Sequence, residues 1–209
     1  MSQLQRAVEV MDQLRSPGGC PWDASQTHAS LAKYLVEETY ELLEAIETGD
    51  LVLLREELGD LLLQVLFHAR LTQELAPPDA FGIEDVAADL VDKLVRRHPH
   101  VFADADPGSA EQLNETWERL KVVEKGRTSA TDGVPLAQPA LALTAKLIAR
   151  AKRAGIDYSA PPSSSDLGQR LFALVRDAVE QGDDPESALR ETARAFRAAI
   201  LAAERADRQ

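Results

Sequence analysis

The chain has 209 residues, 44% of them hydrophobic and 5% aromatic, and its 35 acidic against 23 basic residues give a net charge of −12. This length permits one sizeable core, or one core with a small appendage. The acidic balance argues against nucleic acid or an anionic membrane as the main partner. A single cysteine, Cys20, excludes an intrachain disulfide, and because no leader or membrane-spanning apolar run is recognisable, we expect a cytoplasmic protein.

The predicted elements are all helical. Alanine and leucine dominate, and the β-branched and aromatic runs that mark strands are missing, so we predict an all-α protein. Glycine and proline delimit five helical segments in the first part of the chain, and they span residues 2–15, 28–48, 51–75, 84–97 and about 110–125. The polar stretch GRTSATDGVPLAQ at 126–138 indicates a linker, which a helix at 139–154 and two more helices follow.

The second and third helices carry strong local signals at their ends. The stretch GCPWDASQTHASL predicts an ordered loop before the second helix, in which Thr27 or Ser30 can cap that helix. The joining turn TGD is short, so we expect the two helices to be antiparallel neighbours.

The second helix places a glutamate inside its apolar stripe. At about 100° per residue, Glu38 lies near the centre of the arc formed by Leu31, Leu35, Leu42, Ala45 and Ile46. Glu41 borders this arc, and Glu37 lies further round. A glutamate-rich helix usually turns its acidic residues to solvent, but a lone ionised carboxylate in an apolar stripe must pair, neutralise or bind metal.

The third helix also places carboxylates on an otherwise apolar surface. It is apolar on nearly all sides through LLLQVLF, which is typical of a helix buried by neighbours all round it. Glu57, Asp60 and Gln64 nevertheless form a polar column along it. The antiparallel arrangement brings the 38/41 and 57/60 pairs together, since carboxylates three residues apart share a face. With no lysine or arginine after Lys33 on the second helix, a divalent cation is the better neutraliser.

The donor types restrict the cation. An all-oxygen site suits hard ions such as Mg²⁺ or Mn²⁺, and the helices offer no histidine or cysteine at the spacing that zinc requires. A di-iron site would need Glu-x-x-His motifs, which the chain lacks. His68, one turn beyond Gln64, is interpreted as a packed or interfacial residue.

Basic and aromatic residues complement the carboxylates. Helix 84–97 ends in DKLVRRHPHVF, where Lys93 and Arg97 share a face. One cation there would only favour the helix C-terminus, but five basic residues in eight positions indicate an anion site. WERLK sets Trp117 and Lys121 one turn apart, a pair able to stack a planar ring and hold a phosphate, although a lone tryptophan is more often a core residue. With Trp22 near the same bundle, the predicted ligand is a nucleotide, yet the usual glycine-rich nucleotide loops are absent.

These motifs together resemble one family. CPWDASQTHASL, EETYE, ELGD, DKLVRRHPHVF and WERLK are closely similar to the MazG nucleoside triphosphate pyrophosphohydrolases of the all-α NTPase superfamily. The family pattern of Glu-Glu-x-x-Glu and then Glu-x-x-Asp corresponds to Glu37, Glu38 and Glu41, then Glu57 and Asp60. The resemblance covers about 3–160 and implies Mg²⁺-dependent hydrolysis of nucleoside triphosphates (NTP or dNTP) to the monophosphate and pyrophosphate, in housecleaning of the nucleotide pool.

The same resemblance implies residue roles. It implies that the magnesium ligands are Glu38, Glu41, Glu57 and Asp60. It places Glu37 in support of them, and either Glu41 or Glu37 could act as the general base. It matches Lys93, Arg97 and Lys121 to positions that hold the triphosphate, and Trp117 to one near the nucleotide.

The C-terminal part resembles a degraded second copy. LGDLLLQVLFHA at 58–69 is echoed by LGQRLFALVRDA at 167–178, and 139–158 resembles the opening of a second MazG domain. Only seven residues, 159–165, remain where a glutamate-rich helix should stand, and Gln169 replaces its aspartate. We predict a bundle of four or five helices at 1–125 with one intact metal site, and a degenerate, truncated repeat at 139–209 for packing or dimerisation. A homodimer is expected, because related all-α NTPases build their sites at bundle interfaces.

Two other functions stay open at this point. A catalytically silent nucleotide- or alarmone-binding regulator would use the same pocket, and some tandem relatives keep catalysis in the second domain. A structural helical scaffold would need only a solvated acidic face. The intact Glu57 and Asp60 pair argues against the first alternative, and the position of Glu38 argues against the second.

Overall fold

The computed structural model describes residues 1–103, 108–109, 112–113, 116–117, 120–121, 124–159 and 166–206. These residues form helices and connecting turns without a strand, which confirms the predicted all-α class. None of the helices in this part of the chain is both long and apolar enough to cross a membrane. The chain divides into two compact units, Met1–Pro107 and Gly108–Gln209.

The helices of the first unit are α1 (Gln3–Arg15), α2 (Pro21–Ser25), α3 (His28–Thr48), α4 (Leu51–Thr72), α5 (Ile83–Arg97) and α6 (Pro99–Phe102). The four long helices that the sequence predicts here are confirmed. The third ends at Thr72 rather than at 75, because the amides of Glu74 and Leu75 bond three residues back, at 3.2 and 3.1 Å, in tighter turns. The loop expected at GCPWDAS contains the short helix α2, which begins at a proline preorganised for the first helical position.

Local signals define the α3–α4 hairpin. The predicted cap is confirmed, since the Ser30 amide donates to Thr27 Oγ1 at 3.1 Å and the Thr27 amide donates to Ser30 Oγ at 2.9 Å. Helix α3 ends at Gly49, whose φ of 72° lies in the left-handed region that glycine adopts without a Cβ clash. Asp50 then caps α4 by accepting from the amides of Val52 and Leu53. This two-residue connection makes α3 and α4 closely packed antiparallel neighbours.

The core of the first unit lies where α1, α3 and the C-terminal half of α4 meet, and its buried residues are Met11, Leu31, Leu66, Phe67 and Leu71. The part of α4 before Leu66 is less covered, with exposed apolar residues at Leu58, Leu62, Leu63 and Val65. The prediction that α4 is buried all round is therefore wrong for this part, because the residues of α4 that join the core are Leu66, Phe67 and Leu71.

The second unit contains the helices α7 (Ala140–Arg153), α8 (Asp166–Gln181) and α9 (Pro185–Ala206), which pack against one another. The described residues between 112 and 124 are helical, in the region of the helix predicted at 110–125. The remainder of that predicted helix lies outside the described residues, as do positions 160–165 of the connection between α7 and α8.

The segment at 126–138 contains an ordered turn. Asp132 accepts from the amides of Thr128 at 2.8 Å and Ser129 at 2.9 Å. Arg150 of α7 donates to the carbonyls of Ala130 and Asp132, at 3.2 and 2.7 Å. This turn is thus attached to α7, and the predicted domain boundaries themselves stay a prediction.

Candidate metal centre

The α3–α4 hairpin brings three carboxylates together. One oxygen each from Glu38, Glu41 and Glu57 lies within 4.8 Å of the other two. Glu38 and Glu41 are one turn apart on α3, and the short connection at Gly49 sets the register that places Glu57 of α4 opposite them.

Asp60 lies outside this group of three but acts on it. Its negative charge raises the pKa of both Glu38 and Glu57 above the ordinary value of a glutamate. Asp60 therefore contributes to one region of negative potential that spans both helices.

Burial makes this charge cluster unfavourable by itself. Glu57 is only 7% exposed, and its Oε2 finds no hydrogen-bond partner among the described residues. Burial is the first cause of the raised pKa of Glu57, and the carboxylates of Glu41 and Asp60 add to it. The pKa of Glu38 is raised in the same way, first by burial and then by Asp60 and Glu41. A buried carboxylate oxygen without a partner calls for a cation or a proton.

The donor set fits a hard divalent cation. The three gathered side chains offer only carboxylate oxygens, which are the ligands that Mg²⁺ and Mn²⁺ prefer. Such an ion would balance the like charges that raise the pKa of Glu38 and Glu57. Glu41 is exposed, so the cluster has one side open to a ligand.

The other predicted site residues lie on several elements. Lys93 and Arg97 are in the last two turns of α5, which packs against α4. Trp22 on α2 is exposed and meets Tyr34 edge-on, with ring centroids 5.9 Å apart. Glu37 is exposed on α3, outside the cluster of three. The second unit contains Trp117 and Lys121, which are helical and half-buried. The roles of these residues stay predictions.

One buried arginine of the first unit, Arg15, has no local signal in the sequence. The side chain of Arg15 is 7% exposed and donates to the carbonyls of Asp23 at 2.6 Å and Gln26 at 3.1 Å. It also donates two hydrogen bonds to the carboxylate of Glu74, at 2.7 and 2.9 Å. Hydrogen bonding by Arg15 holds the pKa of Glu74 below its ordinary value. Arg15 thereby fastens the segment that carries Trp22 to the end of α4. No local pattern signals a contact between residues 59 positions apart.

The polar column of α4 continues past the carboxylates. Gln64 is buried, and no described residue bonds its Oε1. One turn later, His68 stacks on His28 of α3 with ring centroids 5.0 Å apart, and their Nδ1 atoms are 2.7 Å apart. A row of polar side chains therefore runs along α4 at the α3–α4 interface, from Glu57 to His68.

Comparison with known proteins agrees with these observations. Residues 26–102 match the family model of the MazG nucleotide pyrophosphohydrolase domain. The chain is 39% identical over 216 residues to the nucleoside triphosphate pyrophosphohydrolase/pyrophosphatase MazG of Thermotoga maritima, covering 92% of this chain and 82% of that protein. It is 44% identical over 215 residues to a nucleoside triphosphate pyrophosphohydrolase of Mycolicibacterium smegmatis, covering 98% and 62%. An uncharacterized 26.1 kDa protein of Streptomyces cacaoi is 53% identical over 204 residues, covering 97% and 83%.

Proposed function

Because the chain belongs to the MazG nucleotide pyrophosphohydrolase family, we propose that it hydrolyses nucleoside triphosphates, NTP or dNTP, to the monophosphate and pyrophosphate with Mg²⁺. The family places it among the hydrolases that act on acid anhydrides. The observation that supports the proposal most directly is the buried carboxylate of Glu57, with an oxygen within 4.8 Å of those of Glu38 and Glu41.

Four carboxylates would hold the ion: Glu38, Glu41, Glu57 and Asp60. The first three lie together, and Asp60 is close enough to raise the pKa of two of them. Mn²⁺ is the expected substitute, because it accepts the same oxygen ligands. When bound, the metal supplies charge neutralisation for the phosphate oxygens and a lower pKa for a coordinated water.

The chemical step needs a base that faces solvent. A water oxygen bonds to phosphorus, the anhydride bond between the α and β phosphates breaks, and pyrophosphate leaves while the base takes the proton of the water. Glu41 is the better placed of the two candidates, because it belongs to the cluster and is exposed. Glu37 is also exposed but lies outside the cluster, so its proposed role is to support the ligands.

The substrate needs cations and planar surfaces besides the metal. We assign Lys93 and Arg97 to the triphosphate, and the packing of α5 on α4 supports this for the first unit. The assignments of Lys121 to phosphate, and of Trp117 and Trp22 to the nucleotide, rest on the sequence. A nucleoside triphosphate substrate also agrees with the expected cytoplasmic location and with the proposed role in housecleaning of the nucleotide pool.

A homodimer completes the proposal. The α3–α4 hairpin leaves a set of large apolar residues exposed: Val36, Tyr40, Leu58, Leu62, Leu63 and Val65. A surface of this kind marks an interaction site more often than a solvated face, and a symmetric second copy is the commonest partner.

The test is pyrophosphate release from a panel of NTPs and dNTPs with Mg²⁺. We expect monophosphate and pyrophosphate from the wild type, and neither from Glu38→Ala or Asp60→Ala. Glu44→Gln is the matched control, since Glu44 is exposed on the same helix and should be as active as wild type. Nucleotide binding without pyrophosphate release would identify the chain as a silent nucleotide-binding protein instead.

A further inference from the structure

The polar column of α4 extends two turns beyond the proposed metal ligands, and nothing in the reaction described so far uses this extension. Gln64 and His68 follow Asp60 at intervals of four residues, so all three lie on the face of α4 that packs against α3. A helix interface formed for packing alone would be apolar at these positions.

Gln64 has an unmet hydrogen-bonding atom. The residue is 5% exposed, and among the described residues nothing donates to its Oε1. Burying an acceptor without a partner is destabilising, whereas a leucine of similar volume would carry no such cost. Unsatisfied groups of this kind in native proteins call for a partner such as a ligand or an ordered water.

His68 also has a polar ring atom without a hydrogen-bond partner in the described residues, and its ring orientation is fixed. Its Nδ1 lies 2.7 Å from Nδ1 of His28, so one ring must donate and the other accept. Burial first, and then the neighbouring His28, lower the pKa of His68, which favours a neutral ring. The Nε2 atom of His68 is buried and lacks a partner within the described part of the chain. The bond to His28 fixes the ring, so this Nε2 is held in place.

The position of both atoms relative to the metal cluster suits one part of the substrate. At 1.5 Å per residue, Gln64 and His68 lie about 6 and 12 Å along α4 from Asp60. A nucleotide whose phosphates are at the metal extends its nucleoside away from them. The end of the hairpin that holds His28 and His68 is also where Trp22 contacts Tyr34, so aromatic rings are available there for a base to stack on.

We propose that Gln64 and His68 form the nucleoside subsite, in which the Gln64 amide oxygen and the His68 Nε2 hydrogen-bond the polar edge of the nucleobase. His28 acts as a positioning residue that holds the His68 ring. This inference rests on the proposed function, because it takes the metal cluster as the phosphate end of the substrate.

The test measures kcat and KM of pyrophosphate release for ATP, GTP, CTP and UTP with Gln64→Leu and His68→Phe. We expect kcat/KM to fall about tenfold for the bases that bond each side chain and less for the others. The ranking of the four nucleotides should therefore change, while the Mg²⁺ concentration at half-maximal rate stays the same. His68→Gln, which keeps a polar N–H, should restore part of the ranking.

Leu66→Ala is the matched control, since Leu66 is buried on the opposite side of the same helix. It should destabilise the protein without reordering the four nucleotides. An equal loss for all four nucleotides in Gln64→Leu and His68→Phe, or no loss, would overturn the subsite and leave these side chains as binders of an internal water. If the wild type releases no pyrophosphate, the proposed function fails instead. Calorimetry of AMP, GMP, CMP and UMP binding to Gln64→Leu and His68→Phe then tests the subsite by itself. The proposal predicts that the affinities for the four nucleotides fall by unequal factors, and equal factors would refute it.

Discussion

Helices α4 and α8 contain the two similar stretches of the sequence and differ in what they hold. Both bury the same position of the pattern, Leu66 in α4 and Val175 in α8, and both expose the leading leucine, Leu58 and Leu167. The polar column is present only in α4, where Glu57 is buried. The corresponding Asp166 is exposed at the start of α8. An apolar pattern is thus enough for a packed helix, whereas a charged site also needs a facing helix such as α3.

Every residue of the column is replaced in the second stretch, although three of the four positions stay polar. Gln169 stands at the position of Asp60, Ala173 at that of Gln64, and Asp177 at that of His68. Of the proposed metal ligands on α4, Asp60 is replaced by an amide and Glu57 by the shorter carboxylate Asp166. Neither residue of the proposed nucleoside subsite is kept.

The largest expected effect separates the two helices by activity. Asp60→Asn should lower pyrophosphate release by about two to three orders of magnitude, because it removes a proposed ligand of the divalent cation whose charge neutralises the reacting phosphates. Gln169→Asp, which restores the aspartate in α8, should leave activity unchanged, because no carboxylate group like that of Glu38, Glu41 and Glu57 occurs around α8 in the described residues. Steady-state rates with one NTP measure both, and a gain of activity in Gln169→Asp would break the comparison.

The next effect compares two arginines through stability. Arg15 is 7% exposed and bonds two carbonyls and a carboxylate, whereas Arg176 of α8 is 43% exposed and contacts Asp177 at 3.2 Å. Arg15→Met should cost about 1–3 kcal/mol, since the partly buried carbonyls of Asp23 and Gln26 lose their donor. Arg176→Met should cost at most about 1 kcal/mol. Urea unfolding followed by circular dichroism measures both, and equal losses would show that the Arg15 bonds stabilise no more than a surface pair.

The next effect is the pH dependence of the stability of the first unit. Because the pKa of Glu74 is lowered from 4.5, its stabilisation is present above that pH and is lost on acidification through the lowered pKa. The raised pKa values of Glu38 and Glu57 have the opposite sign. Their contribution is present below 4.5 and is lost as the pH rises through the raised values. Stability curves of Glu74→Gln and Glu38→Gln against pH, without metal, should meet the wild-type curve at acidic pH and diverge from it as the pH rises. At neutral pH Glu74→Gln should be less stable than wild type and Glu38→Gln more stable.

The smallest effect concerns the metal-free protein at neutral pH. Glu38→Gln should raise the Tm on the order of a few degrees, because it removes one of several like charges, and should remove most of the further gain that Mg²⁺ produces in wild type. Thermal scans with Mg²⁺ or with a chelator measure this. An undiminished Mg²⁺ gain in Glu38→Gln would assign the ion to another place.

The sequence predicted the features that depend on spacing. Thr27, the TGD turn and the three-residue interval between Glu38 and Glu41 are local signals, and the hairpin and the approach of its carboxylates follow from them. The exposed surface of α4 before Leu66 was mispredicted, because periodicity identifies an apolar surface without telling whether a helix of the same chain covers it. Helix α2 was missed because its five residues show no periodicity. The Arg15 contacts join distant positions and leave no local pattern, and the roles of Lys93, Trp117 and Lys121 stay predictions.

The two-residue connection at Gly49 and Asp50 has a consequence for how the protein folds. The helices that carry the gathered carboxylates are consecutive, so forming the site requires closure of a short loop at little entropic cost. Contacts this local form early in folding, and the negative charges therefore meet before most of the core has assembled. Their repulsion should slow the pairing of α3 and α4, and Mg²⁺ should speed refolding as well as stabilise the folded state.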